Sequence, residues 1–357
     1  MDQSKVVLLF RTVSYLKLKQ IYYRFYYALR NRLSHFKNGE KVVGISHQLN
    51  LALDIPTPNS YDNKVFTFLN LEHTFDRIDW NYSAYGKLWT YNLNYFDFLN
   101  QQNITKEEGL VLIEDYIFNE ATLKDGLEPY PTSLRVINWI KFISKHQIRD
   151  EKIDSTLFNH LNLLSRSLEY HLLGNHLLEN AFALLFGAHY FRDEKKYQRA
   201  KKLLEEELNE QVLKDGGHFE LSPMYHQILL TRLLDCINLI ENNTWKKDEL
   251  LSFMRNKAEM MLGWLEQVTY KNGQVPQVND TAFDIAPKTA EILTFAQYLK
   301  LKTQNSKLSD SGYRKWIFSD MEVFMDVSQI GPDYIPGHAH ADTFNFELHY
   351  KGKPIIV

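Results

Sequence analysis

The chain has 357 residues, 44% of them hydrophobic and 24% charged, with a formal net charge of −3. This is long enough for one large core or two domains, and the near-neutral balance excludes a nucleic-acid binder driven by whole-molecule charge. A single cysteine, Cys236, excludes intrachain disulfides and Cys-based zinc ligation; in "LLDCINLI" it reads as a buried small apolar residue.

The first 32 residues carry seven cations, Lys5, Arg11, Lys17, Lys19, Arg24, Arg30 and Arg32, with Tyr and Leu between them. The run VVLLF is broken at once by Arg11 and no small-residue cleavage site follows, so no secretory signal is read and a cytoplasmic location is expected. No window approaches the roughly 18 apolar residues of a membrane span. Two readings of segment 1–40 stand open. One is a helix packed on the protein by its aromatic face, with its basic face solvated. The other is an interfacial helix over residues 1–37, peripheral on the inner face of an anionic membrane.

From about 105 to 300 apolar residues recur at spacings of three and four, as in "SLRVINWIKFI", "LLENAFALLFGAHYF" and "MYHQILLTRLLDCINLI". Polar breaks such as "KDGLEPYPTS" and "KDGGHFELSP" separate the helices. Successive antiparallel helices without a fixed sequence repeat predict an α/α toroid or solenoid, placed at 41–308. Near Ser311 the period shortens: "KWIFSDMEVFMDVSQI" and "DTFNFELHYKGKPIIV" read as strands opening a β domain over 309–357, expected to be incomplete at Val357.

Three polar clusters stand out. Asn175 and His176 follow Gly174 at a predicted helix start. In "ELSPMYHQ", Ser222 is the expected N-cap and Pro223 the first helical residue, which puts Tyr225 and His226 in the first turn. Helix N-termini present free N–H groups and favour an anion. On a strand, His338, His340 and Asp342 would share one face. Each cluster also has a plain structural reading: packing, capping or an exposed strand.

Taken together, "EPYPTSLRVINWIKF", "GNHLLENAFAL", "KDGGHFELSPMYH" and "IPGHAHADTFNFEL", in this order, resemble the heparinase II/III-like polysaccharide lyases, from roughly Trp89 to the C-terminus. The resemblance implies an incomplete α/α toroid followed by an antiparallel β-sandwich domain. It implies β-elimination at a uronic acid of an acidic polysaccharide, with no organic cofactor and no nucleic-acid partner. By resemblance Asn175, with His176, neutralises the uronate carboxylate, Tyr225 is the base and returns a proton to the leaving oxygen, and His338 is the second acid/base group. His218, His226 and the helix N-terminus are the expected sources of a lowered Tyr225 pKa. His340 matches the first ligand of a structural zinc, its further partners expected beyond Val357, with Asp342 as a ligand or an orienting group. Trp89, Tyr91, Asn92, Tyr95, Arg135, Trp139, Glu220, His226 and Asp280 are the expected sugar contacts. Leu221 stands where many relatives have Arg. Bacterial capsule or exopolysaccharide metabolism is the expected setting. Two rivals stay open: a glycoside hydrolase using Glu220 and Asp280 as its carboxylate pair, and a non-catalytic glycan-binding or scaffold protein.

Overall fold

The computed structural model describes residues 7, 11–33, 45–304 and 307–357. Lys5 and part of the 1–40 segment therefore lie outside the described residues.

Ten α-helices among the described residues carry most of the mass. They are α1 (Leu18–Leu33), α2 (Lys87–Tyr95), α3 (Lys106–Asn119), α4 (Pro129–Lys145), α5 (Glu151–Arg166), α6 (Gly174–Phe191), α7 (Glu194–Gln211), α8 (Pro223–Asn242), α9 (Lys247–Val268) and α10 (Thr289–Tyr298). From α2 onward they form two layers. The even-numbered helices pack each on the next, α2 on α4, α4 on α6, α6 on α8 and α8 on α10, while α5, α7 and α9 pack outside them. This is the expected α/α toroid.

Sequence explains the layering. α5 buries Ile153, Thr156, Leu157, His160, Leu161 and Leu164, a single stripe of an outer helix with one wet face. α6 and α4 are buried on nearly every side, because each touches an outer helix and two inner neighbours. Starts are marked as the side chains dictate. Asp150 accepts from the N–H groups of Lys152 and Ile153, Thr105 and Glu108 close a capping box, and Asp193 accepts from Lys196.

Two antiparallel sheets flank the helices. β1 (Tyr61–Asp62), β2 (Val65–Phe68) and β3 (Leu71–Thr74) form a small sheet whose Phe66 and Phe68 pack edge-on against Phe98 and Trp89. The helical reading gave no sign of it. β4 (Tyr313–Phe318), β5 (Met321–Asp326), β6 (Phe346–Tyr350) and β7 (Lys353–Ile356) form a four-stranded meander in that order. Glu322, Phe324 and Asp326 alternate inward along β5, as a half-buried strand requires. The sheet sits on the toroid through polar ties: Tyr270 Oη donates to Glu347 at 2.9 Å, the Lys271 amide to Glu322 and Lys315 Nζ to Thr269 O.

The segment holding His338, His340 and Asp342 is not a strand. It lies in the long loop between β5 and β6, built of turns. The expected common face for these three side chains is therefore overturned: two prolines and two glycines between 331 and 337 suit turns better than a ladder.

Candidate active site

Asn175 and Tyr225 reach the site from helix starts. α6 opens at Gly174, whose backbone is left-handed with φ +58°; a Cβ there would sit 2.3 Å from Glu220 Oε1, so only glycine fits. The next residue, Asn175, is locked onto Glu220 twice. Its backbone N–H donates to Oε1 at 2.9 Å and its Nδ2 to Oε2 at 2.7 Å. α8 opens as read from its sequence. Ser222 Oγ accepts from the Tyr225 N–H, Pro223 takes the first helical position, and Ser222 Oγ also donates to Asp280 O at 2.9 Å.

His338 arrives from the β5–β6 loop and completes the cluster. Its Nδ1 lies 2.8 Å from Asp280 Oδ2 and its Nε2 lies 2.9 Å from Asn175 Nδ2. A carboxylate accepts and an amide nitrogen donates, so the hydrogen belongs on Nδ1 and a lone pair on Nε2. Glu220 Oε2 stands 3.3 Å from the same Nε2, ready to accept from a proton arriving there. The His338 and Tyr225 rings lie 3.9 Å apart, inclined by 36°.

The loop carrying His338 is stitched to the 279–281 turn. The Asp280 N–H donates to His338 O, the His340 N–H to Asn279 Oδ1 and the Asn279 N–H to Asp342 Oδ2. Asn279 Nδ2 in turn donates to Leu221 O at 2.9 Å and to Tyr313 Oη at 3.0 Å. The amide of Asn279 thus holds toroid, sheet and loop together.

A second layer lines the neighbouring wall. His176 Nδ1 lies 3.2 Å from Glu169 Oε1, and its ring is 4.6 Å from that of Tyr130, which meets Tyr95 edge-on at 6.0 Å. Glu169 is fixed by Asn180 Nδ2 at 2.9 Å. Burial opposes a charged His176, but the Glu169 hydrogen bond and charge outweigh it and raise the imidazole pKa. Burial also raises Glu220, against the pull of His338 and Asn175. The Tyr225 phenol is pushed up to about 12, by burial first and then by the negative charges of Asp280 and Glu220.

That last shift corrects an expectation. His226 and His218 do not supply positive charge to lower Tyr225. Both are fully enclosed, and burial drives His226 down to about 4 and His218 well below its ordinary value. His226 is a structural strut rather than a sugar contact: its Nδ1 accepts from the His218 N–H, its Nε2 donates to Met261 O, and its ring lies 4.4 Å from Trp264. His218 Nε2 donates to Gln211 Oε1, and Gln211 Nε2 donates to Gly174 O, which steadies the start of α6.

Three other expected contacts are also removed from the site. Trp89 is 0% exposed and donates to Leu71 O. Arg135 is 0% exposed and spends its guanidinium on Asn94 O, Gly126 O, Thr132 and His160. Trp139 is buried among Phe96, Tyr116 and His160. All three lie on helix faces turned into the core, where a large side chain at helical spacing is packing. Tyr91 is half-buried with its hydroxyl on Glu128 at 2.8 Å, and Asn92 back-bonds to Leu88 O. Tyr95 stays beside Tyr130, and burial first, with Asp97 and Tyr225 adding to it, raises its phenol pKa. Leu221 is a core residue: its side chain joins the apolar cluster and its left-handed backbone, φ +58°, offers the carbonyl that Asn279 and Tyr313 hold.

His340 is exposed, and Asp342 is engaged with the Asn279 N–H. Among the described residues no group of three His, Cys, Asp or Glu side chains is placed to hold a metal ion. The donor set here does not by itself fit zinc.

Residues 132–309 match the Heparinase II/III N-terminus and residues 301–357 match Heparinase II/III-like, C-terminal. The chain belongs to the heparinase II/III-like family. A heparin-sulfate lyase of Bacteroides stercoris is 25% identical over 217 residues, covering 52% of this chain and 31% of its own. The crystal structure of heparinase III aligns over 96% of this chain and 66% of its own, at 15% identity and a TM-score of 0.64. A heparan sulfate lyase mutant from Pedobacter heparinus aligns over 94% and 59%, at 19% identity and 0.50. The chain thus spans about a third of that curated relative and under two thirds of those solved structures. The structural likeness is one of fold, a helical toroid followed by antiparallel sheet.

Proposed function

We propose that this protein is a polysaccharide lyase that cleaves a uronate-bearing polysaccharide of glycosaminoglycan type by β-elimination. The observation that carries the reading is the meeting of three groups from separate parts of the chain: Asn175 Nδ2 2.9 Å from His338 Nε2, and the His338 ring 3.9 Å from that of Tyr225.

The chemistry follows from those contacts. The hydrogen on C5 of a uronate is weakly acidic while its carboxylate is charged, so the carboxylate must be neutralised first. Asn175 offers an N–H and His176, with its raised pKa, offers positive charge. When a carboxylate takes the N–H that Asn175 gives to His338, the Nε2 lone pair is released. His338 then removes the C5 proton, the C–H electron pair forms the C4–C5 double bond, and the C4–O4 bond breaks. Tyr225, held protonated, gives its hydrogen to O4. The imidazolium that results has Asp280 and Glu220 on its two nitrogens, and its adjacent phenolate takes the proton back. This exchanges the roles inferred from resemblance, since a phenol near 12 is a donor before it is a base.

The same geometry argues against a hydrolase. Glu220 and Asp280 sit on opposite nitrogens of one imidazole, so the imidazole, not a glycosidic bond, occupies the space between them.

A panel of uronate polymers tests the reading. Ultraviolet absorbance from a new conjugated double bond supports it; reducing ends without that absorbance indicate a hydrolase, and neither indicates a binder. Tyr225→Phe should lower kcat by at least about 10²-fold with little change in binding. The wild-type rate should fall as pH rises through the His176 pKa, raised by Glu169, because the charge that neutralises the uronate is lost there. Full turnover in Tyr225→Phe would sink the assignment.

A further inference from the structure

Among the described residues, α1 packs on the protein through one of its two faces. On the inner face Gln20, 1% exposed, donates to Leu172 O at 3.2 Å and Tyr334 O at 3.3 Å. Tyr23 stacks on Tyr170 at 4.4 Å, and Tyr27 Oη donates to Leu168 O at 2.6 Å. The opposite face carries Leu18, Tyr22, Phe25 and Leu29, exposed by 84, 61, 75 and 61%. Their spacing of four, three and four makes one continuous stripe along the helix. A contiguous apolar stripe left in water on a docked helix marks an interaction surface.

Charge selects the partner. Residues 11–33 contain Arg11, Lys17, Lys19, Arg24, Arg30 and Arg32 and no Asp or Glu, although the chain as a whole is net −3. Arg24 and Arg32 are exposed, while Lys17 pairs with Glu210 and Lys19 and Arg30 lie over tyrosine rings. A second copy packed on this stripe would set the same uncompensated cations against each other. A surface of negative headgroups over an apolar interior satisfies both features at once.

We infer that the outer face of α1 docks the protein on an anionic lipid surface, with Leu18, Tyr22, Phe25 and Leu29 entering the interface and Arg32 at the headgroups. The inner face holds the helix to the toroid, so the protein would ride on the membrane by a rigid attachment.

Sedimentation of the full chain with vesicles tests this, comparing phosphatidylcholine alone with phosphatidylcholine containing phosphatidylglycerol. Binding is expected only with phosphatidylglycerol and should fall as salt rises. Phe25→Asp and Leu29→Asp should abolish it, and Arg32→Glu should weaken it by on the order of fivefold or more. Thermal melts unchanged from wild type would show that these exposed substitutions spare the fold. Equal or no binding to the two vesicle types overturns the proposal. So does a dimer on size-exclusion chromatography that Phe25→Asp dissolves, which would make the partner a second copy. Lyase activity plays no part in this readout, so either reading can fail without the other.

Discussion

His338 is useful only in the setting that four neighbours give it. Asp280 fixes which nitrogen carries hydrogen, Asn175 keeps the lone pair aimed and occupied, Glu220 waits for a proton, and the phenol of Tyr225 lies against the ring. Asp280 is the informative residue to change. In Asp280→Asn an amide can donate to Nδ1, which moves the imidazole hydrogen to Nε2 and removes the lone pair. The expected outcome is a fall in kcat of as much as about 10⁴-fold with KM little altered. Steady-state kinetics on whichever uronate polymer the wild type cleaves will decide it; an unchanged kcat would show that Asp280 does not set the tautomer. Asn175, Tyr225 and His338 were singled out in the sequence by short motifs, and the structure brings them together. That Tyr225 is held protonated was not, since burial and two carboxylates from distant segments produce it.

At the scale of elements, helix starts do most of the positioning. α6 and α8 deliver Asn175 and Tyr225 from their first turns, and the Gly174 and Ser222-Pro223 signals announced both. α1 plays a part that no motif announced. Gln20 joins the carbonyl of Leu172, three residues before Asn175, to that of Tyr334, four residues before His338. Lys17 lies 4.0 Å over the Tyr334 ring and pairs with Glu210, which also accepts from Tyr334 Oη. Gln20→Ala should therefore reduce kcat toward the ~10²-fold that a misplacement of about 1 Å costs. KM should move less, and the loss of stability should be only ~1–2 kcal/mol. If melting drops by that amount while kcat holds, the helix is a brace for the fold and nothing more.

Across the whole molecule, the site lies on the seam where the toroid meets the four-stranded sheet. Asn279 closes that seam through Leu221 O, Tyr313 Oη and the His340 N–H. Asn279→Ala strips partners from buried polar groups on both sides, and should cost ~1–3 kcal/mol of stability. Because the same amide holds the His338 loop, activity should fall further than Tm alone would explain. A variant that melts early but turns over normally at low temperature would refute that coupling. The polar ties of Glu322 and Glu347 to the 269–277 segment are the rest of the seam, and they explain why carboxylates lie buried under a sheet.

By itself the sequence determined the run of packed helices, the change to strands past Ser311 and the starts of α6 and α8, because each rests on a local periodicity or capping pattern, while the toroid was what the family resemblance implied. Only the tertiary structure decided that Trp89, Arg135, Trp139 and His226 are packing groups, and that His338, His340 and Asp342 ride on a loop. It alone set the charge states around Tyr225. The physical reason is the same throughout: spacing tells which face of an element a residue occupies, but whether that face meets core or cleft, and which charges it meets there, depends on segments far away in the chain.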